Sequence, residues 1–132
     1  MLTISISEQM KKRIPALALG CIECDVKILV ENPELWEEIQ LTCKEIEQTK
    51  ELADVSSIPA IKASRSAYKL CGKDPARYRL SSEALMRRIV KGLQLYRINN
   101  VVDLLNLVSL QTGMSIGGYD ACLLYTSPSP RD

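Results

Sequence analysis

Two periodicities of apolar and polar residues divide the chain into predicted strands and predicted helices. Residues 2–6 (LTISI) alternate with a period of two, which predicts a short strand. Residues 16–30 (ALALGCIECDVKILV) hold strand-like apolar runs that predict one or two core strands. Between them, residues 7–14 have the polar character of a short helix, which Pro15 stops because its ring cannot continue the helical hydrogen bonds. The start of the chain is therefore expected to supply strands to the core.

The clearest helix signal follows Asn32. An asparagine side chain can accept a backbone N–H of the first helical turn, and Pro33 suits the first helical position. Acidic residues in the first turn add to this signal because they face the positive end of the helix. The apolar positions of this helix recur at a spacing of three to four residues and predict one buried stripe. The stripe consists of Leu35, Ile39, Cys43, Ile46 and Leu52 or Ala53.

Glycines mark the predicted ends of three further helices. A glycine after the last helical turn adopts the left-handed conformation without a steric penalty, so it commonly ends a helix. The three segments are residues 57–71 before Gly72, residues 81–91 before Gly92 and residues 100–112 before Gly113.

The last of these helices begins on two consecutive asparagines, in the sequence YRINNVVDLLNLVSLQTG. One of them, Asn99 or Asn100, is expected to cap the helix, and Asp103 suits its positive end. Capping does not account for the second asparagine. Residues 114–121 (MSIGGYDA) then predict a glycine-containing turn or strand.

Length and composition narrow the class of protein. The chain has 132 residues, of which 46% are apolar, so one domain with a real core is expected. No secretory signal and no transmembrane segment are visible, which predicts a cytoplasmic protein without membrane contact. Because the chain has no histidine, Ser-His-Asp and Cys-His catalysis and histidine-bound metals are excluded. No cofactor or metal is predicted, and any catalysis must use carboxylates, backbone groups or an oriented water.

The five cysteines include one C-x-x-C motif, formed by Cys21 and Cys24. An odd number of cysteines in a chain without an export signal favours free thiols over a disulfide framework. An isolated pair without histidines is also a weak zinc signal. Structural thiols in a strand are therefore predicted, and a redox pair is the alternative.

Charge is distributed unevenly along the chain. Residues 1–61 carry six basic and eleven acidic side chains, whereas residues 62–97, called the basic segment below, carry ten basic and two acidic ones. Tyr68, Tyr78 and Tyr96 are interleaved with these cations, a composition that suits phosphate contacts and base stacking. A solvated helix face is the alternative. The predicted RNA-binding residues are Arg65, Lys69, Arg77, Arg79, Arg87, Arg88, Lys91 and Arg97.

The last eleven residues, CLLYTSPSPRD, differ in character from the rest of the chain. They resemble an in-frame translation of the end of a sequencing adaptor. Residues 1–121 are therefore predicted to be the natural chain, and residues 122–132 an artefact that forms a disordered tail. A natural Pro-rich tail is the alternative, and it too would be disordered.

Two long stretches, RSAYKLCGKDPARYRLSSEALMRRIVKG and LYRINNVVDLLNLVSLQTGMSIGGYD, resemble the editing domain of the phenylalanyl-tRNA synthetase beta subunit and its free-standing relatives. The resemblance implies that residues 1–121 are the N-terminal part of one such domain. It implies a mixed α/β (α+β) fold, with helices packed on a mixed sheet that is incomplete at the C-terminus. It also implies tRNA or aminoacyl-tRNA as the partner, deacylase ancestry and a role in translation quality control.

The resemblance places a substrate pocket around the last helix. Where the family has Thr-Asn this chain has Leu105 and Asn106, and where the family has His-Ala-Phe-Asp it has residues 117–120, so the hydroxyl and the histidine are lost. The family's pocket glutamate belongs to a later part of the domain. The implied pocket residues are Asn99, Asn100, Asp103, Asn106, Gly117, Gly118, Tyr119 and Asp120.

Three functions follow from these patterns. The first is a free-standing editing-type domain, in which an oriented water hydrolyses the activated aminoacyl ester and backbone N–H groups stabilise the oxyanion. No catalytic residue is assigned, and this fragment is expected to be inactive. The second is a non-catalytic tRNA- or RNA-binding module, which Leu105 and Gly117 favour over the first. The third, a small-molecule or protein-interaction unit, is disfavoured by the length of the resemblance. No oligomeric state is predicted.

Overall fold

The computed structural model of the chain describes residues 3–126, and all of its regular structure there is helical. No helix in this range has the length and apolar character needed to cross a membrane. The helices are α1 (Glu8–Arg13), α2 (Pro33–Thr49), α3 (Leu52–Val55), α4 (Pro59–Leu70), α5 (Ser81–Val90), α6 (Asn100–Thr112) and α7 (Ala121–Thr126).

The predicted mixed α/β fold, with helices packed on a sheet, is wrong, because residues 3–126 contain no strand. The segments predicted as strands, residues 3–6 and 16–30, are irregular and mostly exposed, and Ile22 is 92% exposed. A strand needs a neighbouring strand to pair its backbone N–H and C=O groups. An apolar pattern alone supplies no such neighbour, so these segments stay irregular.

The described chain divides into two compact units. The terminal unit comprises residues 3–26 and 117–126, and the central unit is Lys27–Ile116. In the terminal unit, the side chain of Ser7 accepts a hydrogen bond from the Met10 N–H and caps α1, which confirms the predicted short helix before Pro15. The predicted artefact begins at Cys122, inside α7, and its residues 127–132 lie outside the described range. Its origin stays a prediction.

The core of the central unit lies among α2, α3, α5 and α6, which pack against one another, and α4 adds Ile61 to it. In these elements the apolar side of each amphipathic helix is removed from water, which is the main favourable contribution to folding. The buried core side chains are Ile39, Ile46, Val55, Ile61, Leu80, Met86, Ile89, Leu95, Leu107 and Leu110.

Most of the predicted stripe on α2 is confirmed, but its end is wrong. Ile39 and Ile46 are buried, while Leu35 and Cys43 are half-buried against the core. Leu52 and Ala53 are exposed because α2 ends at Thr49. A new helix starts there: the Asp54 carboxylate accepts the Glu51 N–H at 2.9 Å, and α3 then buries Val55 instead.

The predicted glycine stops are confirmed. Gly72, Gly92 and Gly113 have φ of 75°, 81° and 76° and follow α4, α5 and α6. Gly113 is also closely packed, because a Cβ there would lie 3.0 Å from Cγ2 of Ile58 and 3.3 Å from Cβ of Ala60. The end of α6 therefore requires glycine for both its backbone conformation and its contacts.

Candidate functional site

A buried ion triad holds two of the predicted RNA-binding arginines. Nη1 of Arg65 lies 2.9 Å from both carboxylate oxygens of Glu83, and Nε of Arg87 lies 3.2 Å from Oε2 of the same carboxylate. The Glu83 side chain is 0% exposed, and both arginines are mostly buried. A buried carboxylate requires such partners because the loss of hydration is otherwise uncompensated. Arg65 therefore joins α4 to α5, and Arg87 binds the same carboxylate from within α5. Both guanidinium groups are engaged inside the fold, which leaves them poorly accessible to an RNA.

One contact of this triad could have been predicted from the sequence. Glu83 and Arg87 are four residues apart on one helix, the spacing at which opposite charges meet. The bond from Arg65 joins two different helices, and no local pattern marks it.

Four of the predicted RNA-binding residues remain exposed with no ion pair inside the described range: Lys69, Arg77, Arg79 and Lys91. They lie on α4, in the loop before α5 and just after α5. Asp74, in the same loop, is the one exposed acid of the basic segment, and its side chain accepts the Ala76 N–H at 3.0 Å. Exposed cations of this kind can contact phosphates without first breaking an internal bond.

Cations lie over the two exposed tyrosines of the basic segment. The Arg88 guanidinium lies 4.3 Å from the ring centroid of Tyr96, and its Nε donates to the backbone oxygen of Gln94. Nζ of Lys73 lies 4.9 Å from the ring centroid of Tyr78. Both separations are in the range of cation–π attraction. Tyr68, the third tyrosine noted in the sequence, instead packs against the core.

Arg97, the last of the predicted RNA-binding residues, lies at an open pocket of about 500 Å³ next to α2. Its guanidinium is 4.3 Å from the Trp36 ring centroid. The indole N–H of Trp36 donates to Oδ2 of Asp103 at 3.1 Å, and the Ile98 N–H donates to Oδ1 at 3.1 Å. Asp103 is only 2% exposed. Both oxygens of this predicted pocket residue are therefore engaged: Oδ2 joins α6 to α2, and Oδ1 holds the loop that precedes α6.

The two asparagines at the start of α6 have different partners. Oδ1 of Asn99 accepts the Val102 N–H at 3.0 Å, so Asn99 is the cap. Asn100 binds the irregular segment that precedes α2: its Oδ1 accepts the Leu29 N–H at 2.7 Å, and its Nδ2 donates to the Lys27 oxygen at 2.8 Å. Its backbone N–H donates to the Leu29 oxygen at 2.9 Å. The second asparagine therefore satisfies backbone groups that have no strand beside them.

Asn106 differs from these two, although it also lies on α6. It is half-buried, next to the half-buried Leu105, and its amide makes no hydrogen bond within the described residues. A half-buried amide without an internal partner is available to a ligand.

The other four predicted pocket residues, Gly117, Gly118, Tyr119 and Asp120, belong to the terminal unit and are exposed. A Cβ on Gly117 would lie 3.1 Å from Cε2 of the Tyr119 ring, so this ring leaves little room for a side chain there. Oδ1 of Asp120 accepts the Cys122 N–H at 2.9 Å at the start of α7. The predicted pocket residues are thus divided between the two units, four in each.

Four of the cysteines are free thiols, two of them exposed and two half-buried. Cys21 and Cys24 are exposed, so the prediction that they pack in a core strand is wrong. Burial raises the pKa of the half-buried Cys43 thiol, and the charge of Glu47 raises it further. Residues 3–126 contain no group of three cysteine or carboxylate side chains arranged to hold a metal ion.

The comparison with known families bears on the second half of the chain. Residues 63–128, half of the sequence, match the B3/4 domain, a domain found in the beta subunit of phenylalanyl-tRNA synthetase. No curated protein and no solved structure matches the chain. The predicted relation to the synthetase beta subunit is therefore confirmed at the level of the domain family, while truncation and editing remain predictions. The chain belongs to the B3/4 domain family.

Proposed function

We propose that this B3/4 domain binds tRNA through the exposed cations of the basic segment. The observation that carries the proposal is that Lys69, Arg77, Arg79 and Lys91 stay exposed and unpaired within residues 3–126 after the internal ion pairs are accounted for. Family membership supports tRNA as the polyanion, because the B3/4 domain occurs in a tRNA synthetase subunit. Lysine and arginine side chains that contact phosphates release condensed counterions, which makes such binding favourable and dependent on salt.

The sharpest test neutralises Arg77 and Arg79 together. Both are exposed in the loop before α5, so their replacement by glutamine should leave the fold intact. We expect the double variant to bind tRNA about tenfold more weakly at low salt, and the slope of log K against log [salt] to become shallower by about 0.7–0.9 for each lost phosphate contact. Fluorescence anisotropy of labelled tRNA over a salt series measures both quantities.

Lys44→Gln is the matched control, because Lys44 is an exposed cation on the acid-rich α2. It should leave both the affinity and the salt slope unchanged. Arg87→Gln is unsuitable as a test because it removes a partner of the buried Glu83. Wild-type affinity that is independent of salt, or an equal loss in Lys44→Gln, would refute the proposal.

Hydrolysis of mischarged aminoacyl-tRNA is a second candidate, favoured by the free amide of Asn106. An aminoacyl ester is already activated, so a positioned water and polar contacts to the developing oxyanion are the main requirements. This chain lacks histidine, and the one carboxylate on α6, that of Asp103, has both oxygens engaged. No side chain on α6 is therefore free to act as a general base for a water bound next to Asn106.

We expect the 132-residue chain to hydrolyse tyrosyl-tRNA and phenylalanyl-tRNA at the background rate under single-turnover conditions. The matched variants are Asn106→Ala and Gln111→Ala, since Gln111 is an exposed amide on the same helix. Deacylation that exceeds background and is lost in Asn106→Ala but kept in Gln111→Ala would show that this chain itself carries the chemistry.

A further inference from the structure

Two exposed tyrosines flank α5, the helix at the centre of the basic segment. Tyr78 precedes the helix and is 49% exposed, and Tyr96 follows it and is 69% exposed. A helix of ten residues is about 15 Å long, so the two tyrosines come before and after an element of that length in the chain. Large exposed aromatic rings are not needed for this core, which is built from aliphatic side chains and Met86.

The ring of Tyr96 is held in a prearranged pair. The Arg88 guanidinium lies over it at 4.3 Å from the ring centroid, and its Nε also donates a hydrogen bond to the Gln94 backbone oxygen. An arginine side chain has many rotamers, and both contacts restrict them before any ligand arrives. The pair therefore presents a flat, cationic surface. The side-chain entropy of Arg88 is already reduced in the free protein, so less of it is lost when a ligand binds.

A second pair of the same composition lies before α5, where Lys73 covers the ring of Tyr78 at 4.9 Å. The exposed cations Arg77 and Arg79 are the sequence neighbours of this tyrosine, and Lys91 lies between α5 and Tyr96. Each ring is thus accompanied by cations that can hold the phosphates of a strand whose bases stack on the ring.

We propose that unpaired bases of RNA stack on Tyr96 and Tyr78, and that this domain therefore prefers single-stranded RNA to duplex RNA. The inference rests on the proposed binding of RNA phosphates by the basic segment and adds the class of RNA. Bases in a duplex are stacked on each other and offer no free face, whereas unpaired bases can be splayed onto aromatic rings. Stacking of this kind is independent of sequence, because every base has an aromatic face.

One acidic side chain opposes this contact. Oε1 of Glu47 would lie 3.8 Å from a Cβ on Gly92, which places a carboxylate at the end of α5 where Lys91 and Tyr96 follow. A carboxylate at this position repels phosphate. Its neutralisation in Glu47→Gln should therefore tighten RNA binding, opposite in sign to the arginine variants.

The test compares two labelled RNAs with equal numbers of phosphates, an unstructured single strand and a stable hairpin, on the full 132-residue chain. We expect the wild type to bind the single strand about tenfold more tightly than the hairpin. Tyr96→Ala should weaken single-strand binding about tenfold without changing the salt slope, and Tyr96→Phe should retain the affinity because it keeps the ring. Leu41→Ala, which removes a large exposed side chain from α2, is the control for nonspecific loss of surface.

The outcomes separate this inference from the proposed function. Equal affinity for both RNAs, or an equal loss in Tyr96→Phe and Tyr96→Ala, would overturn base stacking while salt-dependent phosphate binding still stands. Competition by an acidic polypeptide as strong as that by the single strand would also overturn it, because the site would then recognise charge alone. Absence of RNA binding at any salt concentration would overturn both proposals.

Discussion

Replacement of Glu83 by alanine should lower the free energy of unfolding by about 3 kcal/mol, because it leaves two mostly buried guanidinium groups without their carboxylate. This is a large fraction of the roughly 5–15 kcal/mol that holds a typical domain together. The loss should appear as a lower urea midpoint with an unchanged m-value, since the packing around α4 and α5 is otherwise retained. Glu38→Ala, which removes an exposed carboxylate from α2, should change the midpoint little.

A triple variant separates lost charge pairing from lost packing. When Glu83→Leu is combined with Arg65→Met and Arg87→Met, no charge remains at the junction of α4 and α5. An apolar replacement of similar volume is often as stable as a buried ion triad. The triple variant should therefore be more stable than Glu83→Ala. If it is the less stable of the two, the triad contributes more than the pairing of its charges, and our explanation of this junction is wrong.

Asp103→Ala should cost about 3 kcal/mol of unfolding free energy, because the indole N–H of Trp36 and the backbone N–H of Ile98 both lose a charged acceptor in a buried place. Asp103→Asn should cost about half as much, since one amide oxygen can still accept one of the two hydrogen bonds. Trp36 is the one tryptophan of the chain, so its fluorescence reports directly on the environment of this bond.

Glu37→Gln is the matched control for Asp103, because Glu37 is an exposed carboxylate that lines the pocket beside Trp36. It should leave both the unfolding free energy and the tryptophan emission nearly unchanged. Because Asp103 acts through the fold, Asp103→Asn should also keep the tRNA affinity at temperatures where the protein is folded. A stable Asp103→Asn protein with weakened tRNA binding would return this residue to a binding role.

The elements that sequence reasoning placed correctly are those with a local signal at their ends. Asn32 with Pro33 starts α2, and Gly113 stops α6, because a cap and a left-handed glycine act on the nearest turn of the chain and need no distant partner. The new helix α3 was missed because the bond from Asp54 to the Glu51 N–H interrupts an apolar pattern that otherwise continues the stripe of α2.

Whether the predicted strands form could not be decided from local sequence signals. An apolar run such as residues 16–30 is compatible with a strand, but a strand forms only beside another strand, and that depends on the rest of the structure. Alternation of side chains describes a surface suited to a sheet and not the existence of the sheet. The helical fold of residues 3–126 is the result.

The candidate site also combines features that the sequence predicts with features that depend on the fold. Charge counts located the basic segment, because the excess of cations is a property of the sequence. They did not distinguish Arg65, which is bonded to Glu83, from the exposed Arg79. Likewise, Asp103 was correctly placed at the start of a helix, but its bond to Trp36 spans 67 residues and could not be read from its neighbours. Residue type predicts which chemistry is possible, and the fold decides which atoms remain available for it.

Asn100 has a consequence for the order of folding. Its side chain joins backbone groups that are 71 and 73 residues away, so these two hydrogen bonds close a loop that contains all of α2, α3, α4 and α5. Closing a loop of this length is entropically unfavourable, and two hydrogen bonds at an exposed position do not offset it unless the enclosed helices have already packed. The two hydrogen bonds of the Asn100 side chain are therefore expected to form late in folding. Once formed, they join the first residues of the central unit to its last helix. Local unfolding at the start of this unit then requires that the Asn100 side chain be released first.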